Sequence, residues 1–222
     1  LFNCTDATAG SNIWANIGSY FQGVGKCFGG VGGGTEYGYC AGGHTLTRID
    51  KFALGGSGVT SSSAGTLTNG AIYMGAGHSS TTHGYVSGGS PNGGTTGNFS
   101  VDEFAFASNS TRTMSGVTLN GAGNGKQTPS GHSSLTHGFT AGGHGTNSAQ
   151  AIGIDKWAYS SSSAATDLGD LLTTKYYGAS HTSSLDAYTA GGKDGFGLSN
   201  TANVEKFSLA NSNSVTNHST LT

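Results

Sequence analysis

A short sequence pattern, here called a phrase, occurs four times in the chain. It consists of a small residue, an aromatic residue, two further small or β-branched residues, and then a pair of glycines. The copies begin at Gly38, Gly84, Gly138 and Ala187. A second phrase, which runs apolar, acidic, charged and aromatic, follows each copy and begins at Ile49, Val101, Ile154 and Val204. Two markers that recur in the same order define an internal repeat, and the chain must fold as a series of similar units.

A third marker precedes the glycine-pair phrase. It reads Gly-His-Ser-Ser in two copies, around His78 and His132, and has a weaker form around His181. Repeats of roughly 40 to 50 residues that carry several short strands are typical of propeller blades or other arrays. The three markers therefore favour a repeat domain over a pair of unrelated domains.

The phrases predict strands. Large and small residues alternate up to each glycine pair, and the glycines end the strand where the backbone turns sharply or approaches a neighbour closely. The acidic-aromatic phrase predicts a second strand with an aromatic anchor. Apolar residues do not recur at helical spacing over three turns, so helix should be nearly absent, although residues 164–174 have room for one short helical turn.

Composition excludes several functions. Charged residues make up 9% of the chain, against about 25% in ordinary domains, and 41 of the 222 residues are glycine. The nine Lys and Arg residues are scattered, so nucleic-acid binding lacks its electrostatic footprint. No apolar run approaches the ~18 residues of a membrane helix, and membrane insertion is not expected.

The residues from Gly131 through Gly143 to Trp157 resemble the kelch repeat, in which a strand ends in a glycine pair and the next strand is hydrophobic, acidic and aromatic. The resemblance covers residues 38–222 and implies an all-β, kelch-like β-propeller of about four repeats of roughly 50 residues. We place the repeats near 38–83, 84–137, 138–186 and 187–222. Residues 1–37 are expected to form an irregular N-terminal lead-in or connector.

A narrower resemblance is to repeat-bearing structural proteins of tailed bacteriophages, carried by phrases such as His83-Gly84-Tyr85-Val86-Ser87-Gly88-Gly89 and Ile49-Asp50-Lys51-Phe52. It implies a virion location. The chain begins at Leu1 and not at a methionine, which indicates a processed chain or a fragment. The fourth repeat stops before another Gly-His phrase, so either the chain continues or N-terminal strands complete the last blade.

The candidate sites are few. His78, His132 and His181 recur at matched positions and are the weak candidates for a metal site, although the commoner role of such histidines is to bond strand-end carbonyls. His44 and His144 follow glycine pairs in loops on one face, and Tyr85 and Tyr188 are aromatic residues that could stack on sugars. These four are the candidate ligand-binding residues.

The remaining polar residues predict no catalysis and no cofactor. Asp50, Asp102, Asp155 and Glu205 recur in every repeat, which favours a structural role in bonding backbone amides. The three cysteines, Cys4, Cys27 and Cys40, are predicted as small buried thiols, with a disulfide between two of them as the alternative.

Together these features predict a non-enzymatic virion protein of a tailed phage, in a tail, fibre or capsid, that acts in assembly or binds a host-surface glycan. Its expected partners are other virion subunits or copies of itself in a homo-oligomer. One alternative is a secreted bacterial surface or filament-forming protein. A second alternative is a kelch-type metal-dependent oxidase or lyase.

Overall fold

The computed structural model describes residues 37–53, 60–91, 97–114, 116–120, 125–144, 152–194, 199–210 and 214–222, together with the backbone of 27–29. Within these ranges the chain contains strands, turns and bends but no helix. The expected all-β fold is therefore confirmed. No helix in the described ranges has the length and apolarity to cross a membrane.

Four antiparallel sheets of four strands follow one another along the chain. The first sheet consists of β1 (Cys27–Gly29), β2 (Tyr37–Ala41), β3 (Arg48–Ala53) and β4 (Ser62–Thr66). The second consists of β6 (Ala76–Ser79), β7 (His83–Ser87), β9 (Val101–Ala105) and β10 (Thr111–Thr113). The third consists of β11 (Ser130–Ser133), β12 (His137–Ala141), β13 (Gly153–Ala158) and β14 (Thr166–Asp170). The fourth consists of β15 (Ala179–Thr182), β16 (Asp186–Ala190), β19 (Asn203–Ser208) and β20 (Thr216–Thr220).

Two small ladders complete the topology. They pair β5 (Ile72–Tyr73) with β8 (Ser90–Pro91), and β17 (Lys193–Asp194) with β18 (Ser199–Asn200). The Gly-His phrase forms the first strand of the second and third sheets, so each of these sheets begins one strand before its glycine-pair phrase. The first strands also lie side by side, with β1 next to β6, β6 next to β11, and β11 next to β15.

The recurring small residue of the phrase lies under the recurring aromatic ring. Gly38, Gly84 and Gly138 pair across the strands with Phe52, Phe104 and Trp157. A Cβ at Gly84 would lie 2.2 Å from a ring atom of Phe104, and one at Gly138 would lie 2.3 Å from a ring atom of Trp157. Glycine leaves the room that lets each ring lie flat on its own sheet.

The same rings join neighbouring sheets. Phe104 of the second sheet lies 5.4 Å from Tyr39 of the first, and Trp157 of the third lies 5.5 Å from Tyr85 of the second, measured between ring centroids. Phe207 of the fourth sheet lies 6.4 Å from Phe139 of the third. Each hydrophobic cluster therefore spans two consecutive sheets.

Three segments connect the sheets, and we call residues 67–75 the first linker, 114–129 the second and 171–178 the third. The glycine pairs form backbone hydrogen bonds with these linkers. The N–H groups of Gly43, Gly89 and Gly143 donate to the carbonyl oxygens of Ile72, Lys126 and Lys175, at 3.0, 2.7 and 2.8 Å. All eight glycines of the pairs have positive φ angles, which side chains with a Cβ adopt at a cost.

Two expectations fail. Cys40 is disulfide-bonded, so the preference for free buried thiols is wrong for this residue. The antiparallel register of β1 and β2 places Cys27 directly opposite Cys40, an arrangement that composition does not reveal. Within residues 164–174, strand β14 and a bend at 172–173 take the place of a helical turn, because the backbone of β14 pairs with β13.

The fourth sheet takes its four strands from residues 179–220, while β1 completes the first sheet. The described N-terminal strand therefore does not complete the last sheet. The expected lead-in over residues 1–37 lies outside the described residues, apart from Tyr37 and the backbone of 27–29.

Replacing Gly142 with Ala is expected to lower the free energy of unfolding by about 3 kcal/mol or more, measured by urea denaturation. Gly142 has a φ of 67°, and a Cβ there would lie 2.6 Å from the carbonyl oxygen of Lys175. Gly70 is the matched control, since its φ is 81° but a Cβ added there would meet no atom within 4 Å. Gly70→Ala should cost only about 1–2 kcal/mol. Equal losses would show that contact with the linker is unimportant.

Candidate ligand-binding face

The recurring histidines lie between sheets. The Nδ1–H of His78 donates to the carbonyl oxygen of His132 at 2.9 Å, and that of His132 donates to the carbonyl oxygen of His181 at 3.1 Å. Their Nε2 atoms bond the hydroxyls of Ser87 and Thr189. His78 and His132 are buried, whereas His181 is exposed. The described residues contain no group of three or more His, Cys, Asp or Glu side chains suited to hold a metal.

The acidic residues that recur in the repeats accept hydrogen bonds from the linkers. Asp102 accepts hydrogen bonds from the backbone N–H groups of Thr68 and Asn69, at 2.9 and 3.1 Å. Glu205 accepts from the backbone N–H of Leu172 at 2.7 Å and from the hydroxyl of Thr173 at 2.5 Å.

Asp155 accepts from the Asn120 side chain at 3.1 Å. In each case the acid of one sheet binds the linker that arrives from the sheet before it. Asp50 of the first sheet instead forms an ion pair with Arg48, at 2.8 Å.

Two lysines in the linkers form ion pairs with the recurring acids. The sequence pattern did not single these lysines out. Lys126 Nζ lies 3.1 Å from Asp155 Oδ2, and Lys175 Nζ lies 3.4 Å from Glu205 Oε1, with all four side chains almost completely buried. Lys126 also donates to the carbonyl oxygens of Gly153 and Thr140, at 2.5 and 3.3 Å. Burial lowers the pKa of Lys126 below its usual value, and the Asp155 carboxylate opposes that shift.

The two candidate aromatic residues differ in exposure. Tyr85 is buried and stacks on Tyr159 with centroids 4.4 Å apart, and burial raises the pKa of its hydroxyl. Its ring therefore packs between the second and third sheets. Tyr188 is half-buried and meets His218 of its own sheet edge to face, at 5.2 Å.

His44 and His144 each follow a glycine pair, and each lies against the ring of a tyrosine in a linker. His44 is exposed and lies 5.4 Å from the ring of Tyr73 in the first linker. His144 is half-buried and lies 5.5 Å from the ring of Tyr176 in the third. The structure thus pairs each candidate histidine with a linker tyrosine that the sequence pattern did not single out.

Tyr177, the residue after Tyr176 in the third linker, is an exposed aromatic residue. It is 47% exposed, and its ring centroid lies 5.0 Å from that of Tyr176. Asp194 is nearby, because it accepts a hydrogen bond from the Thr174 hydroxyl and helps burial to raise the pKa of Tyr176. We call His144, Thr174, Tyr176, Tyr177 and Asp194 the tyrosine patch.

The backbone of Tyr177 is unusual for a bulky residue. Its φ is 61°, and Met74 and Thr128, two residues after Ile72 and Lys126 as Tyr177 is after Lys175, have φ of 59° and 52°. The left-handed conformation therefore belongs to the shared linker turn. Only the third linker places an exposed tyrosine in it, and the sequence signal was the pair Tyr176-Tyr177 before Gly178. A strained, exposed aromatic residue is a reasonable functional candidate.

Comparison with known proteins relates the chain to solved structures but to no family model. No protein-family model and no curated protein matches the chain. A solved structure described as the structure of YjhT is similar, with a TM-score of 0.68 and 12% sequence identity. The similarity covers 84% of this chain and 63% of the other. The chain thus spans less than two thirds of that protein, and the likeness concerns the fold alone.

Replacing Lys175 with Met is expected to lower the free energy of unfolding by about 3–5 kcal/mol, because it leaves Glu205 charged and buried without its cation. The double variant Lys175→Met/Glu205→Gln should recover much of this loss, since Gln keeps an acceptor for Leu172 and Thr173. Urea denaturation of the variants measures both effects.

Lys206 provides the control for this prediction. It pairs with Asp186 at 3.0 Å on the surface, so Lys206→Met should change stability little. If Lys175→Met were as harmless as Lys206→Met, the buried pair would have no structural role.

Proposed function

We propose that the four sheets are blades of a kelch-like propeller, and that the chain is a non-enzymatic structural protein of a tailed-phage virion that binds a host-surface glycan through the tyrosine patch. The single observation that carries the binding role is the exposed, left-handed Tyr177 beside Tyr176 and Asp194.

Several observations support the propeller. Each sheet is an antiparallel meander, and the first strands lie next to one another in chain order. Every linker binds the glycine pair of the sheet it leaves and the acid of the sheet it enters.

The use of the polar residues supports a structural role. Catalysis by acids or histidines needs groups that reach a substrate, yet Asp102, Asp155 and Glu205 are buried against linkers. His78 and His132 are likewise engaged between sheets. These residues hold neighbouring sheets together.

The tyrosine patch has the chemistry of a sugar site. An aromatic ring offers a flat apolar surface and a hydroxyl that bonds polar groups, and a few placed polar groups fix the orientation of a ligand. Tyr177 supplies the exposed ring, and Asp194 supplies an acceptor for sugar hydroxyls. His144 and Tyr176 form the floor beside them.

The disulfide of Cys40 supports a location outside the reducing cytoplasm, since disulfides persist in oxidising surroundings such as virion and cell surfaces. The same observation serves the alternative, a secreted bacterial surface or filament-forming protein.

Replacing Tyr177 with Gly is expected to weaken binding to immobilised lipopolysaccharide at least about tenfold, measured by surface plasmon resonance over a panel of O-antigens. Glycine relieves the left-handed strain, so the free energy of unfolding should stay unchanged or rise by up to about 1 kcal/mol. Loss of binding without loss of stability separates a ligand contact from a packing role.

Met74→Gly is the matched control, because it makes the same backbone change in the first linker and leaves the tyrosine patch intact. Its binding should equal that of the unaltered protein. Equal binding by the Tyr177 variant, or no binding to any O-antigen, would contradict the glycan site.

We expect an antibody raised against the purified chain to label tailed particles in immunogold electron microscopy. The sample is a phage preparation from a culture whose DNA encodes the chain. Labelling of tails, fibres or capsids follows from the virion proposal. Label confined to bacterial surfaces or free filaments would replace it with the alternative.

A further inference from the structure

Lys126 of the second linker reaches into the third sheet and ends against Asp155. The two side chains are 1% and 2% exposed, and Lys126 Nζ lies 3.1 Å from Asp155 Oδ2. Nζ also donates hydrogen bonds to the carbonyl oxygens of Gly153 and Thr140, at 2.5 and 3.3 Å. An amine and a carboxyl group therefore meet in a place from which water is excluded.

The two oxygens of Asp155 have different surroundings. Oδ1 accepts a hydrogen bond from the side-chain amide of Asn120 at 3.1 Å. Oδ2 is buried and accepts no hydrogen bond of normal geometry from the described residues, although Lys126 Nζ is close to it. A carboxylate that keeps its charge in a protein interior usually has partners on both oxygens. The surroundings of Asp155 therefore suit a neutral carboxylic acid with Oδ2 as its hydroxyl oxygen.

The surroundings of Nζ suit a neutral amine in the same way. A neutral lysine has two N–H donors and one lone pair, whereas the ammonium has three donors. The two carbonyl oxygens take two donors, which leaves the lone pair for Asp155. Burial lowers the pKa of Lys126 and raises the pKa of Asp155, while the attraction between the two groups opposes both shifts. Asp167 and Asp170, which are exposed, also oppose the lowering of the Lys126 pKa.

We propose that Lys126 and Asp155 condense to an amide bond that joins the second linker covalently to the third sheet. Folding itself forms this modification site, because the two side chains meet only when the linker lies on the sheet. Asn120 activates the carboxyl group, since its N–H donates to the oxygen on which negative charge develops as the nitrogen attacks.

The reaction needs no further reactant. One proton moves from Nζ to Oδ2, which converts the ammonium and the carboxylate into an amine and a carboxylic acid. The lone pair of Nζ then forms a bond to Cγ of Asp155. The bond between Cγ and Oδ2 breaks, and the hydroxyl leaves as water with a proton from the nitrogen. The products are a neutral amide and one water molecule, and the dry surroundings slow the reverse reaction.

The buried pair of the third linker lacks this arrangement. Both oxygens of Glu205 accept hydrogen bonds, from the backbone N–H of Leu172 and from the hydroxyl of Thr173. Lys175 Nζ lies 3.4 Å from its acid, and among the described residues it donates to one carbonyl oxygen, that of Asn203. Glu205 therefore stays a carboxylate, which resists attack by an amine. One amide bond, and not two, is expected.

Mass spectrometry of the reduced, full-length chain tests the proposal. The chain is expected to be lighter than its sequence mass by the mass of one water molecule. Trypsin then gives the position, because Lys126 is the only Lys or Arg between residues 113 and 155. Trypsin does not cleave after a lysine whose nitrogen is in an amide. One looped peptide of residues 113–156 should therefore replace the two peptides 113–126 and 127–156.

Three variants test the roles of the residues. Lys126→Arg keeps a cation but removes the nucleophilic amine, so its mass should equal its sequence mass. Lys175→Arg is the matched control and should still lack one water. Asn120→Ala keeps both reacting groups, and in freshly synthesised chain the bond should form at least about tenfold more slowly. A thermal melt checks that each variant is folded, and the unaltered chain decides the proposal if Asn120→Ala does not fold.

Two results would overturn the proposal. One is the full sequence mass for the unaltered chain, with normal cleavage after Lys126. The other is the loss of one water with normal cleavage after Lys126, which would place the dehydration elsewhere in the chain. Neither result affects glycan binding at Tyr177, so this proposal and the proposed function fail separately.

Discussion

The fold depends on a flat aromatic ring that lies over a glycine of its own sheet while its outer face contacts the sheet before it. Trp157 is the fullest example, with Gly138 beneath it and both Tyr85 and His78 of the second sheet against its ring. A four-stranded sheet cannot bury both faces alone, and these rings give every sheet its apolar contact with the next. The glycines and the rings therefore have to be chosen together.

Polar groups set the spacing between sheets. Burial of an ion pair seldom adds stability, but a buried acid that loses its partners is costly, so only the correct seating of a linker satisfies it. The first linker shows a second solution: Ile72 stands where the other linkers have lysine, and Thr68 and Asn69 satisfy Asp102 without a cation. In all three linkers the buried acid therefore fixes where the linker lies, and it adds little to the free energy of unfolding.

Much of this could be predicted from the sequence, because strand alternation, glycine pairs and the acid-ring phrase act locally. The all-β fold and the structural use of the acids follow from them. The lysine partners could not be predicted, since Lys126 and Lys175 lie in linkers of different length and meet their acids only after the sheets pack. Tyr177 was missed because its exposure depends on a linker turn, and the pairing state of Cys40 because it depends on the register of β1.

The first strands pack against their neighbours in chain order, and this arrangement affects how the molecule unfolds. Stability in such arrays is close to a sum of the units and their nearest-neighbour contacts. The second and third sheets each have two described neighbours, while the first and the fourth have one each. Slow amide exchange should therefore be concentrated in the second and third sheets, around Trp157.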